Sequence, residues 1–238
     1  MILHAAIHVL MFNGPEREMF NDMTMFWNLE KLSHRVEKII YFGSGAEYDK
    51  RLDIRGVTEE DVGRTIPANE YGLAKYTMTR AARASENIYN LRLFGIFGKY
   101  ELWDIKFLSN LCCKAMYDLP LTIRKDCCFD FILVDDLVPV VDWMITHAPK
   151  YHDYNFCHDG EYMLSDLARM VNRVSGKDLE IRLLSDERNL DYYGRNDRLR
   201  AELGGWTPTG MEKALEKLYA YYVGIRDEID YDVLKNTK

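Results

Sequence analysis

Ser44, Tyr71 and Lys75 are the residues of this 238-residue chain best suited to do chemistry. Tyr71 and Lys75 stand four positions apart in the run Tyr-Gly-Leu-Ala-Lys, a spacing that puts both side chains on one face of a helix. An ammonium beside a phenol favours the phenolate, so Lys75 is expected to draw the Tyr71 pKa down toward working pH. Tyr71 is then a proton donor and acceptor. The spacing alone is weak: with 16 tyrosines in the chain, about one such pair arises by chance, and an exposed helix pair is the simpler reading. Ser44 changes the weighing. It lies between Gly43 and Gly45 after the apolar run KIIYF at 38–42, and open α/β sheets hold ligands at the carboxyl ends of their strands. A hydroxyl there can bond a substrate oxygen whose proton Tyr71 takes. Gly-Ser-Gly by itself is an ordinary turn. A strand-end serine, a loop, then a helix opening with Tyr-x-x-x-Lys is a joint condition that chance meets much less often.

The elements needed to position these groups follow from the apolar pattern. Continuous apolar runs predict buried strands at 2–6, 38–42 and 88–93, with shorter strands at 121–123, 131–134, 154–157 and 179–184. Met19, Phe20, Met23, Phe26, Trp27 and Leu32 recur at helical spacing within 15–34, with Pro15 suited to a first turn. Further helices are predicted at 71–84, 105–117 and 135–147, and at 166–175, capped by Ser165 and stopped by Gly176. The last two are 197–203 and, after the turn at Trp206-Thr207-Pro208, 211–222. Residues 49–68 read as a polar loop. Apolar strands alternating with helices imply an α/β fold, a parallel sheet covered on both faces. Residues 1–150 read as the sheet domain and 151–238 mainly as a C-terminal lobe interleaved with it.

Composition narrows the function class. Hydrophobic residues at 47% and charged residues at 29% describe a globular chain, not a disordered or fibrous one. With 31 basic against 38 acidic side chains, the net charge of −7 argues against a general nucleic-acid binder. No apolar run of roughly 18 residues spans a membrane, and the N-terminus lacks a secretory signal, so a cytoplasmic protein is expected. The five cysteines are odd in number and contain no Cys-x-x-Cys, which fits neither a disulfide framework nor a zinc knuckle. His147, His152, Cys157 and His158 do not share one face, and no metal site is assigned to them.

Taken in order, the motifs resemble the NAD-dependent epimerase/dehydratase family of extended short-chain dehydrogenases/reductases, which modify sugars. HAA at 4–6 is similar to the family's strand end beside the cofactor, and YFGSGAEY at 41–48 to its strand ending in Ser or Thr four residues before a Tyr. YGLAK at 71–75 supplies the Tyr and Lys, and LRLFGIFGKYE at 91–101 resembles the Arg-x-x-Asn-x-Tyr-Gly segment. FDFILVDDLV at 129–138 resembles Arg-Asp-Phe-Ile-x-Val-Asp-Asp, and LGGWTPTGMEKAL the closing Gly-Trp-x-Pro helix. The resemblance implies a Rossmann-like fold and redox chemistry at a sugar carbon with NAD or NADP. Tyr71 would move the hydroxyl proton, Lys75 would hold the nicotinamide ribose and tune Tyr71, and Ser44 would orient the reacting oxygen. Ala5, Ala6, Gly43 and Leu93 would join Tyr71 and Lys75 around the cofactor. Phe94, Gly95, Lys99 and Arg124 would join Ser44 on a sugar or nucleotide-sugar.

The chain also departs from that pattern. Gly45-Ala46 stands where the 4,6-dehydratases carry Asp-Glu, so elimination of water is not expected. Gly95 replaces the Asn three residues after Arg92, and Phe129 the Arg before Asp130. The family's Gly-x-x-Gly-x-x-Gly turn, which sets the cofactor pyrophosphate on a helix N-terminus, has no counterpart, and the first three strands of the family are expected to be missing. In the strand order 3-2-1-4-5-6, residues 2–6 then form a sheet edge. Such an edge favours pairing with another chain, so a homodimer or a complementing N-terminal chain is expected as partner. The leading reading is an NAD(P)-dependent sugar epimerase or reductase; the alternative is a non-catalytic remnant or sugar-binding module of the same family.

Overall fold

The computed structural model describes residues 1–8 and 17–237. Its first part runs β1 (Ile2–His4), α1 (Glu18–Glu30), β2 (Ile39–Ser44), β3 (Ile54–Val57), α2 (Glu70–Arg83) and β4 (Ile88–Leu93). There follow β5 (Gly95–Phe97), α3 (Phe107–Met116), β6 (Leu121–Ile123), β7 (Phe131–Leu133), α4 (Leu137–Thr146) and β8 (Asp153–Phe156). The chain ends with α5 (Leu164–Ser175), β9 (Ile181–Leu183), β10 (Tyr192–Gly194), α6 (Asp197–Glu202), α7 (Met211–Gly224) and α8 (Tyr231–Asn236).

Two units are built from these elements. The first comprises Met1–Phe94, Val138–Asp159 and Tyr192–Trp206. Its sheet has the order β1-β2-β4-β8, with every pairing parallel. Neighbouring strands pleat their side chains to alternate faces. Ile39 and Tyr41 join Ile88 on the face covered by Phe26 of α1 and Ala74, Met78 and Ala82 of α2. Ile40 and Leu91 point the other way and are also fully buried, so both faces are covered, as continuous apolar strands require. A separate parallel pair, β3 with β10, completes the unit.

The second unit comprises Gly95–Leu137, Gly160–Asp191 and Thr207–Lys238. It has two parallel ladders, β5-β7 and β6-β9. Its core gathers Leu108, Leu111, Cys112 and Cys113 of α3, Leu167 and Val171 of α5, and Leu215, Leu218 and Tyr222 of α7. The vicinal cysteines are therefore packing residues here. The chain passes between the units several times, and the boundary expected near 150 falls inside a segment of the first unit.

The strand and helix pattern agrees with the sequence at most elements and differs at a few. The first turn predicted around Pro15 lies outside the described residues. The polar loop 49–68 contains β3, whose ladder partner β10 is far away in the chain. The helix after Met163 begins at Leu164, so Ser165 lies inside the first turn and is not the cap. Its start is fixed by Leu164 N–H, which donates to Cys127 O at 3.0 Å, and by Met163 N–H, which donates to Asp166 Oδ2 at 3.4 Å. Gly176 ends this helix in the left-handed conformation, as its sequence position predicts.

Candidate functional site

Within the first unit, register places the strand-end candidates together. His4 pairs with Tyr41, and Ser44 with Leu93, so Ala5 and Ala6 after β1, Gly43 and Ser44 on β2 and Leu93 on β4 all lie at the carboxyl end of one parallel sheet. That is where open α/β sheets hold ligands.

Ser44 is presented by a tight turn with its own fastenings. The Ala46 N–H donates to Ser44 Oγ at 3.2 Å, and the Ser44 N–H donates to Glu47 Oε1 at 3.1 Å. This reciprocal Ser-x-x-Glu box is visible in the sequence, yet the sequence reading passed over Glu47. Close packing requires both flanking glycines. A Cβ on Gly43 would lie 2.2 Å from Asn90 Oδ1, and one on Gly45 would lie 2.3 Å from Tyr192 Oη. The Gly-Ser-Gly run is thus no ordinary turn.

Helix α2 is brought down onto this turn by a third glycine. Asn69 caps the helix, its Oδ1 accepting Gly72 N–H at 2.7 Å, and a Cβ on Gly72 would lie 2.7 Å from the Ala46 carbonyl oxygen. Tyr71 lies half-buried beside that contact, and the Ser44 hydroxyl acts on its phenol. Lys75 follows one turn later. Its Nζ donates to Phe42 O at 3.3 Å and lies 5.7 Å from the centre of the Tyr71 ring. The serine, phenol and ammonium therefore converge.

Their electrostatics differ from the sequence-based expectation. Burial pushes the Tyr71 phenol up to about 12; the Ser44 side chain opposes that, while Asp22, Glu47 and Glu18 add to it. Lys75 does not draw the phenol down, because desolvation of the phenolate and three nearby carboxylates dominate. Burial lowers the Lys75 pKa, with Asp22 and then Glu47 working against it.

Beneath the turn lies an ionic network that the sequence did not reveal. Arg92, fully buried, donates to Glu47 Oε2 at 2.7 Å and Asp153 Oδ2 at 2.8 Å. It also donates to Asn155 Oδ1 at 2.9 Å. Glu47 further accepts from Thr79 Oγ1 at 2.6 Å. The same carboxylate thus holds the Ser44 turn and anchors it to β4.

The other candidates have defined places. Phe94 is buried, with ring neighbours Tyr192 at 5.2 Å and Tyr48 at 6.1 Å. Gly95, Lys99 and Arg124 belong to the second unit. Gly95 opens β5, where a Cβ would lie 2.2 Å from Asp130 O, so sheet packing accounts for the glycine. Lys99 is exposed with its Nζ 5.9 Å from the Tyr221 ring centre, and Arg124 is exposed after β6. His147 stacks on Trp143, and His152 stacks on Tyr89 while its Nδ1 hydrogen-bonds to Ile88 O. Among the described residues no group of three His, Cys, Asp or Glu side chains is arranged to hold a metal ion. No helix among them is long and apolar enough to cross a membrane.

Solved structures share this architecture. UDP-glucose 4-epimerase from Thermotoga maritima, solved with UDP-glucose, is similar at a TM-score of 0.78 and 17% identity, over 94% of this chain and 77% of that one. A GDP-L-fucose synthetase from Naegleria fowleri gives 0.80 at 14% identity, over 94% and 77%. UDP-glucuronic acid 4-epimerase from Bacillus cereus, in complex with UDP-glucuronic acid and NAD, gives 0.74 at 19% identity, over 89% and 70%. These likenesses show a Rossmann-like α/β fold. Among curated proteins none matches. The family model of NAD dependent epimerases/dehydratases matches residues 2–157, more than half of the sequence, and the chain belongs to that family.

Proposed function

We propose that the chain is an NAD(P)-dependent epimerase or reductase acting on a sugar, with a nucleotide-linked sugar as the substrate class. The observation that carries this reading is the gathering of the Ser44 hydroxyl, the Tyr71 phenol and the buried Lys75 ammonium at the carboxyl end of a parallel sheet. The donor set suits the nicotinamide-ribose end of the cofactor. Lys75 has three N–H donors and gives one to Phe42 O, which leaves it able to hold ribose hydroxyls with Tyr71. Ala5, Ala6, Gly43 and Leu93 supply small or apolar surface around it. A nicotinamide held there would supply the hydride chemistry at the sugar carbon, in either direction. A phenol held protonated is a ready donor, so Tyr71 hands its proton to the sugar oxygen as the carbonyl is reduced and recovers it in the opposite direction. Ser44 hydrogen-bonds that oxygen and fixes its angle to Tyr71.

Calorimetric titration with oxidised and reduced NAD and NADP tests the reading and chooses between the two cofactors. Micromolar binding supports it. Silence up to millimolar concentration overturns it in favour of a non-catalytic sugar-binding remnant. With a panel of nucleotide sugars, Tyr71→Phe is expected to lose about 100-fold or more in turnover, the range of general acid–base catalysis, while cofactor affinity stays within about twofold. Full activity in that variant removes Tyr71 from its role.

A further inference from the structure

Helix α1 buries an aspartate on the side that packs against α2. Asp22 is 1% exposed, on a stripe with Met19, Met23 and Phe26 that otherwise meets the apolar core. Its Oδ1 accepts the His8 backbone N–H at 2.8 Å. Among the described residues its buried Oδ2 has no hydrogen-bond partner. An uncompensated buried carboxylate is strongly destabilising, so a positive charge nearby is required.

Lys75, 4% exposed on α2, is a buried cation that this carboxylate influences. Around the two stand His4 on β1, His8 after it, Glu18 on α1, Glu70 and Tyr71 on α2, and Glu47 in the turn after β2. Glu47 is already bound to Arg92 at 2.7 Å, and Glu70 accepts the Met19 N–H at 3.1 Å. Glu18 is only half-buried. Among the described residues, Asp22 is the carboxylate of this group with a buried oxygen that accepts no hydrogen bond.

We propose that Asp22 is a positioning residue for the Tyr71–Lys75 pair: its buried carboxylate is the counter-charge that holds Lys75 as an ammonium and ties α1 to the helix bearing both groups. The same charge disfavours the Tyr71 phenolate and favours the charged form of His4, so three reporters read it. The meaning of the role rests on the functional reading above, but its test needs neither cofactor nor turnover.

The test is a pH titration of the ligand-free full chain labelled with 15N-lysine, followed by NMR, with Lys75 assigned by loss of its signal in Lys75→Arg. In Asp22→Asn the Lys75 midpoint is expected to fall by about one unit or more, the usual effect of a nearby opposite charge. The His4 midpoint is expected to fall with it. An unmoved Lys75 midpoint in a folded Asp22→Asn chain overturns the proposal. Should that variant fail to fold, the double variant Asp22→Asn with Lys75→Met is expected to recover folding, because neither buried charge is then unpaired; no recovery overturns it equally. An unmoved Lys75 alongside an inactive Tyr71→Phe refutes the counter-charge alone. A shifted Lys75 alongside a fully active Tyr71→Phe refutes the functional reading alone.

Discussion

Tyr71 is set by its surroundings to keep its proton, and that has a spectroscopic consequence. An ordinary tyrosine ionises near pH 10; burial pushes this one to about 12. Alkaline absorbance titration of the ligand-free chain, as a difference between wild type and Tyr71→Phe, is expected to show one phenolate forming near pH 12. A difference signal at pH 10 or below would mean that Lys75 governs the phenol after all. The sign for stability follows: a raised folded pKa contributes stability that is present below about pH 10 and lost as the pH rises through about 12. Residue types and spacing single out Ser44, Tyr71 and Lys75, and local structure accounts for where each stands: a strand end, a helix start and the next turn of that helix. The direction of the Tyr71 shift was not legible, because it depends on burial and on Asp22 and Glu47, which come from other elements. Asp22 did leave a trace, an acid on the apolar stripe between Met19 and Phe26.

Among the elements, β4 ties the site to the rest of its unit through one side chain. Arg92 joins Glu47 of the turn after β2 to Asp153 on β8, and Arg83 of α2 reaches the same aspartate at 2.8 Å. Burial alone would lift the Asp153 pKa, but Arg92 and then Arg83 bring it below the ordinary value. Asp153 therefore contributes stability above about pH 4 that is lost as the pH falls through its depressed folded pKa. Arg92→Met takes from the buried Glu47 its arginine partner and leaves Asp153 to Arg83 and Arg198, and chemical denaturation at neutral pH is expected to show a loss of about 3–5 kcal/mol. A loss under about 1 kcal/mol would mean that water or the remaining arginines compensate. Long apolar runs such as β2 and β4 were legible because both faces of a parallel sheet demand them. The pair β3 and β10 was not, since each is only a few residues long and its partner lies more than a hundred positions away. Close approach explains the glycines at 43, 45 and 72 only once Asn90, Tyr192 and Ala46 are seen beside them.

For the molecule as a whole, the exposed feature that matters is the outer edge of β1. It pairs with β2 on one side, and among the described residues no strand lies on the other. Leu3 is 44% exposed and Met1 51%, so apolar side chains accompany the unpaired backbone groups. Helix α1 adds Phe20 at 56%. An apolar edge of this kind is a template for pairing with another strand. Two copies related by a twofold axis would bring identical β1 strands together antiparallel, an arrangement with regular hydrogen bonds. Light scattering on the purified chain is therefore expected to give a mass that rises toward the dimer with concentration. Leu3→Lys places a charge on the edge and is expected to return the chain to monomer, since edge lysines are how natural sheets block such pairing. A sharp monomer at every concentration in the unmodified chain would show that this edge is closed by something other than a second copy.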